Sequence, residues 1–241
     1  MKSKIKFLMM FGAILVSMVP VTQVFAQADQ SITTHSTFAN SKKCFANPSP
    51  GVDWSDCIVS SKIGLYFKDL SGANLSKIVA KNSNFYAVNL SGANLQNATL
   101  VSGDFAYANL SGADLRGADL RYVDFYHTNL SGADLRGANT IGARFPGADF
   151  SNARLAGLDL SHTNIIGANL YNTDLQNAIL TSVDMRNALF TSANLGNANL
   201  ANSDLTGGSL EDADLTGTNV GGLDYSGTAM TCHGNSVCRG D

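Results

Sequence analysis

Covalent or metal chemistry in this chain has few residues to draw on. The cysteines are Cys44, Cys57, Cys232 and Cys238, and the histidines are His35, His127, His162 and His233. An even number of thiols suits disulfides if the chain is exported. A metal site built on Cys232, His233 and Cys238 fits no common zinc spacing. The histidines fall on separate segments, without the partner spacing that a base or a metal set needs. Serines such as Ser71, Ser91, Ser111 and Ser131 recur at a fixed interval and sit in no nucleophile elbow. The glycines build no phosphate-binding loop. No catalytic residue, metal ligand or cofactor is therefore expected, and an enzyme is not. What remains is recognition. Tyr66, Tyr86, Tyr107, Tyr122 and Tyr126 each carry an apolar ring and a hydroxyl, the combination that contacts partners or stacks sugars. Whether they act together depends on the element that positions them.

That element is set by a period of five. From Leu65 to Met230 every fifth residue is apolar almost without exception, and 27 of the 34 positions are Leu or Phe. The others are Ala80, Thr140, Ile165, Met185, Val220, Tyr225 and Met230. On a helix, residues five apart wind around the axis; on a straight strand they alternate faces. All can enter one core only if the chain turns a corner every five residues. The intervening residues fit. A small residue, most often alanine (Ala73, Ala93, Ala113), lies two before each large one, and in most repeats Asn or Asp (Asn74, Asn94, Asp114) lies one before. In most repeats Gly, Asn, Ser or Asp comes two after, as at Gly72, Gly92 and Asn152, which is turn chemistry.

A second period closes the coil. Phe85, Phe105, Phe125 and Phe145 recur every twenty residues, as do the segments beginning at Ser71, Ser91, Ser111 and Ser131. A recurrence of fifteen fails, since it places Leu100 against Phe85. Four five-residue faces per coil is the simplest closure, giving a solenoid of about eight coils, roughly 40 Å long at ~4.8 Å per coil. Folded at twenty, Tyr66, Tyr86 and Tyr126 share one outward column, Phe67, Tyr107 and His127 the next, and Tyr122 lies across the preceding corner. His127 and His162 read as solvent-exposed corner spacers. Asp104 and Asp124, with Asp184, Asp204 and Asp224, stack on one face, which reads as a solvated polar face rather than a calcium column. Arg116, Arg121, Arg136, Arg144 and Arg154 read as local balance for Asp114, Asp119 and Asp134.

Units such as Ala73-Asn74-Leu75-Ser76-Lys77 and Ala113-Asp114-Leu115-Arg116-Gly117 resemble those of the pentapeptide repeat family. The resemblance covers about 63–230. It implies an all-β fold, a right-handed quadrilateral parallel β-helix with the central Leu or Phe and the preceding Ala buried. It implies no single biochemistry.

The ends read differently. Lys2, Lys4 and Lys6, the apolar run Phe7 to Val19 and Val24-Phe25-Ala26 describe a secretory signal over 1–26, cut before Gln27. Its removal would leave 13 basic against 19 acidic residues, a net charge of −6 that does not suit nucleic acid. The rest divides into an N-terminal cap segment 27–62 with Cys44 and Cys57, the repeat 63–230, and a C-terminal cap 231–241 with Cys232 and Cys238. Because a rod separates the two pairs, Cys44–Cys57 and Cys232–Cys238 are the expected disulfides. Trp54 is the expected plug of the first coil, since solenoid ends need covering.

Together these features describe a non-catalytic exported rod, periplasmic or extracellular, whose partner is a protein or an envelope component. Nothing after the signal reads as a transmembrane span. Two further expectations come from the resemblance: some members pair end to end as homodimers, and some protect topoisomerases by mimicking DNA. Here the signal and the modest acidity weigh against the second.

Overall fold

The computed structural model describes residues 42–59 and 64–238, and the expected signal segment lies outside them. Each five-residue unit contributes one extended residue flanked by two inward ones, then a two-residue corner. Corner chemistry appears where the spacing placed it. The second residue after each large one takes positive φ, whether glycine (Gly72, 64°) or not (Phe67, 57°; Tyr107, 59°). The extended Asn or Asp holds the corner through its own side chain, Oδ1 accepting the N–H two residues on. Asn84 takes the Tyr86 N–H at 2.9 Å, Asn89 the Ser91 N–H at 3.2 Å and Asp134 the Arg136 N–H at 3.2 Å. These residues tolerate the corner because they offer the backbone an alternative acceptor.

Successive coils pair in parallel with a step of twenty. Asn94 bridges Asn74 on one side and Asp114 on the other; Leu75 N–H donates to Asn94 O at 2.7 Å and Asn94 N–H to Ala73 O at 2.9 Å. Four such ladders run through Gly64, Asp69, Asn74 and Val79, one on each face, so the described repeat is a quadrilateral β-helix. Large residues fill its axis. Phe85, Phe105, Phe125 and Phe145 stack at centroid distances of 4.5, 5.4 and 4.9 Å, all fully buried. Each such burial contributes about 1.5–3 kcal/mol.

The ladders deviate in three places. At the N-terminal end the step is twenty-one, Asp53 pairing with Asn74 and Ile58 with Val79. The inward pattern therefore runs back through Trp54 and Val59, both buried, with one extra residue between Val59 and Leu65. At the C-terminal end the step is nineteen, His233 pairing with Asp214. In the middle, bridges join Asp119 to Asn139 and Asp159 to Ile179 but none joins Asn139 to Asp159; there Thr140 Oγ1 donates to the Asp159 carbonyl instead. The final coil also departs from full burial. Val220 and Met230 pack against the core only partly, and Tyr225 is 43% exposed, although all three keep the fivefold phase.

Both disulfides form as expected, Cys44–Cys57 with Cα atoms 5.7 Å apart and Cys232–Cys238 with 5.0 Å. One cysteine of each pair occupies the small inward slot of a terminal coil: Cys57 where the next coil has Ile78, and Cys232 where the previous coil has Ala213. Trp54 is buried, and its Nε1–H donates to the Ala46 carbonyl at 3.2 Å. No helix among the described residues is long and apolar enough to cross a membrane.

Candidate functional site: an aromatic corner

Residues 66 and 67, and their equivalents at steps of twenty, form one corner of the solenoid. Its occupants are Tyr66-Phe67, Tyr86-Ala87, Ala106-Tyr107 and Tyr126-His127, followed by Pro146-Gly147, Ile166-Gly167, Arg186-Asn187 and Thr206-Gly207. The four earlier pairs bring their rings together. Tyr66 meets Phe67 at 6.1 Å, Phe67 meets Tyr86 at 5.6 Å, and Tyr86 meets Tyr107 at 5.6 Å, all edge to face. Tyr107 then touches Tyr126 at 5.5 Å edge to face, and Tyr126 touches His127 at 4.3 Å. Six rings thus make one unbroken ribbon across four coils. The contacting rings of neighbouring coils alternate between the second and first corner positions, Phe67 with Tyr86, Tyr86 with Tyr107 and Tyr107 with Tyr126, so they interdigitate. Edge-to-face pairing is the arrangement that ring quadrupoles favour.

The ribbon lies outside the core and is accessible. Phe67 is 70% exposed, Tyr107 50%, Tyr66 45% and Tyr126 39%. Desolvation by the neighbouring rings raises the Tyr107 hydroxyl's pKa above the ordinary 10.0, and Tyr126 adds to it. The ribbon stops at Gly147, where a Cβ would come within 2.6 Å of the His127 ring; the ring therefore rests on bare backbone. Its flanks are polar, with amides and three carboxylates. One ladder carries Gly64, Asn84, Asp104 and Asp124, the other Asp69, Asn89, Asn109 and Asn129. Asn89 Nδ2 donates to Asp69 Oδ1 at 2.9 Å, and Asn109 Nδ2 to Asn89 Oδ1 at 3.1 Å.

Of the five tyrosines singled out by spacing, the structure joins Tyr66, Tyr86, Tyr107 and Tyr126. Tyr122 stays apart, one corner away, with its ring against the backbone of Gly142. Spacing alone left out Phe67 and His127 as members. His127 is more than a spacer, since it is the terminal ring of the ribbon; the signal was its place in the column of Tyr107.

Elsewhere the polar groups pair locally. Arg116, Arg121, Arg136 and Arg186 each clasp the Asp two residues before with Nε and Nη2, at 2.6–2.9 Å. These contacts hold the carboxyls of Asp114, Asp119, Asp134 and Asp184 below the ordinary 3.8. Arg144 and Arg154 lie 3.9 Å from Asp124 and Asp134 on the preceding coil. His162 sits at a corner with φ 57°. Because Cys232 and Cys238 are joined, they offer no thiolates to a metal beside His233. Among the described residues no three His, Cys, Asp or Glu gather as a metal set.

The family model Pentapeptide repeats matches in eight copies, on 69–101, 104–137, 128–165, 143–181, 168–207 and 184–222. No curated protein matches. Among solved structures, HetL is a pentapeptide repeat protein involved in heterocyst differentiation regulation in the cyanobacterium Nostoc sp. strain PCC 7120. It is 25% identical over 76% of this chain and 86% of its own, with a TM-score of 0.31. A pentapeptide repeat protein of the Arabidopsis thaliana thylakoid lumen is 30% identical over 43% of this chain and 68% of its own, TM-score 0.31. Trypsin-treated QnrB1, a plasmid-mediated fluoroquinolone resistance protein, is 21% identical over 68% and 87%, TM-score 0.38.

Proposed function

The chain belongs to the pentapeptide repeat family, whose members fold as right-handed quadrilateral β-helices, and from that premise we propose a non-catalytic, exported rod. In this reading about eight four-sided coils, held at their ends by disulfide-bearing caps, present the aromatic corner to a protein or another envelope component. The observation that carries it is the six-ring ribbon. The fold does not require it, because the same corner continues as Pro146-Gly147, Ile166-Gly167 and Thr206-Gly207 without an aromatic residue. A contiguous exposed aromatic patch confined to half of one edge has the character of a contact surface. Export is supported by the two disulfides, which suit an oxidising compartment, and by the composition of residues 1–26. The partly covered Val220, Tyr225 and Met230 suit a homodimer through the last coil.

The test is fractionation of expressing cells with intact-mass analysis of the recovered chain, followed by capture of partners. A form starting at Gln27 in the periplasm or medium is expected, with capture lost when Tyr86, Tyr107 and Tyr126 become Ser. A cytosolic chain still carrying residues 1–26 would overturn export, and unchanged capture would overturn the corner. The DNA-mimic reading of the family asks for a continuous negative face. Here Asp114, Asp119, Asp134 and Asp184 are each neutralised by an arginine of their own repeat, so no protection is expected in a gyrase supercoiling assay.

A further inference from the structure

We infer that the aromatic corner is a track for an extended, β-1,4-linked glycan strand lying along the solenoid axis. This names the partner class for the corner and rests on the interaction reading above.

Three observations converge. The first is the kind of group displayed. Aromatic faces attract the C–H face of a pyranose, and the ribbon interleaves them with phenol hydroxyls that donate and accept. The flanking ladders add amides and carboxylates in register with the coils. Asn84 and Asp104 use Oδ1 for the corner N–H groups of Tyr86 and Ala106, at 2.9 and 3.0 Å. That leaves the Asn84 amide nitrogen and the second Asp104 oxygen for a sugar hydroxyl. The second observation is charge. Of the flanking carboxylates Asp69, Asp104 and Asp124, Asp124 alone faces an arginine, at 3.9 Å, so the flanks accept from the hydroxyls of a neutral polymer and disfavour an anionic one.

The third is shape. The rings stand on a convex edge, and a protein hot spot wants a pocket in which an anchor is desolvated. A row of rings running from coil to coil instead suits an extended polymer. Coils repeat at ~4.8 Å, about the length of one pyranose ring in an extended strand. Four coils carry rings, from Tyr66 to His127, so the track holds about four sugars. No single sugar is enclosed, and affinity must accumulate along the strand. An α-1,4 strand curls, meets fewer of the successive rings and loses that gain.

The experiment is isothermal titration of the purified chain, in the form the cell makes, with chitohexaose and cellohexaose. Their tetramers and disaccharides, with maltohexaose, serve as comparisons. At least one β-1,4 hexamer should bind, weakening roughly tenfold or more in its disaccharide, with the tetramer close to the hexamer. A similar loss is expected in the Tyr107→Ala, Tyr126→Ala double variant, while Tyr171→Ala, which removes an exposed tyrosine elsewhere, leaves binding unchanged. An unchanged urea midpoint establishes that the double variant is folded. No binding of either β-1,4 hexamer, equal binding of maltohexaose, or indifference to the double variant each overturns the inference. If neither glycan binds but a captured protein is lost in the double variant, the interaction corner stands and the glycan falls. If no partner of either kind responds, both fall.

Discussion

Tyr107 lays its ring on that of His127 one coil away, 15° from parallel with 5.7 Å between centroids. The pair sits on the outside of the solenoid, so it is bound to its neighbours without being needed by the core. Replacing Tyr107 and Tyr126 by Ser should therefore remove partner binding while changing stability little. Edge-to-face and stacked ring contacts contribute about 0.5–1.5 kcal/mol each, and less where solvent shares the ring. A urea midpoint close to the parent beside lost binding is the expected result; a collapse of the midpoint would mean that the ribbon holds the coils together.

Thr140 should behave in the opposite way, because it stands among the buried leucines and phenylalanines. Its hydroxyl donates to the Asp159 carbonyl at the rung where Asn139 and Asp159 form no bridge. Thr140→Val keeps the shape and removes the donor, so the Asp159 carbonyl loses that bond. A loss of about 0.5–1.5 kcal/mol is expected in denaturant unfolding. Amide exchange should quicken around Asp159 before elsewhere in the coils. A gain in stability would show that the backbone ladder closes once the hydroxyl is gone.

The core and the corners were legible because one residue type fills each slot. Leu75 and Phe125 had to face inward, and Asn84 or Asp134 had to hold a corner, whatever their neighbours were. The step from Val59 to Leu65 was not legible: one extra residue breaks the phase of five, hiding that Trp54 and Val59 already belong to the coils. The membership of the aromatic ribbon was half legible. Folding at twenty put Tyr86 and Tyr107 on one edge, but which rings touch depends on side-chain direction at a corner with positive φ. That direction sends Phe67 and His127 into the ribbon and lays Tyr122 over Gly142. Local balance between Asp114 and Arg116 was legible, but the two-pronged clasp was not, since it depends on how Arg116 is directed from its corner position.

Opening the disulfides should affect the two ends unequally. Cys44 and Cys57 close a loop with a separation of 13, and Cys232 and Cys238 one of 6. Loop-closure entropy assigns about 3 kcal/mol to the first and roughly 2 kcal/mol to the second. The first also ties down the segment whose Ala46 carbonyl receives the Trp54 indole. Cys44→Ala with Cys57→Ala should therefore lower the urea midpoint more than the C-terminal pair of substitutions, and should expose Trp54 to fluorescence quenchers. Equal losses would place the stabilisation outside the loops.

Acid should weaken the middle coils through Asp134. Its carboxylate lies 2.6 Å from Arg136 and 3.9 Å from both Arg116 and Arg154, with 14% of the side chain exposed. Arg136 above all holds its pKa below the ordinary 3.8. A carboxyl whose folded pKa is depressed contributes stability that is complete above the unfolded value, and the contribution is lost as pH falls through the folded one. The unfolding midpoint should thus be level from neutrality to about pH 5 and drop below about pH 4. Asp134→Asn keeps the corner acceptor, since Asn occupies the same slot at Asn74, Asn94 and Asn194 and accepts the N–H two residues on in each. Only the charge is removed, so the variant should lose part of the acid slope. Asp184→Asn should lose less, because its side chain is 38% exposed and solvent screens its pairing with Arg186. Equal slopes in the two variants would mean that the three arginines around Asp134 add nothing beyond one clasp.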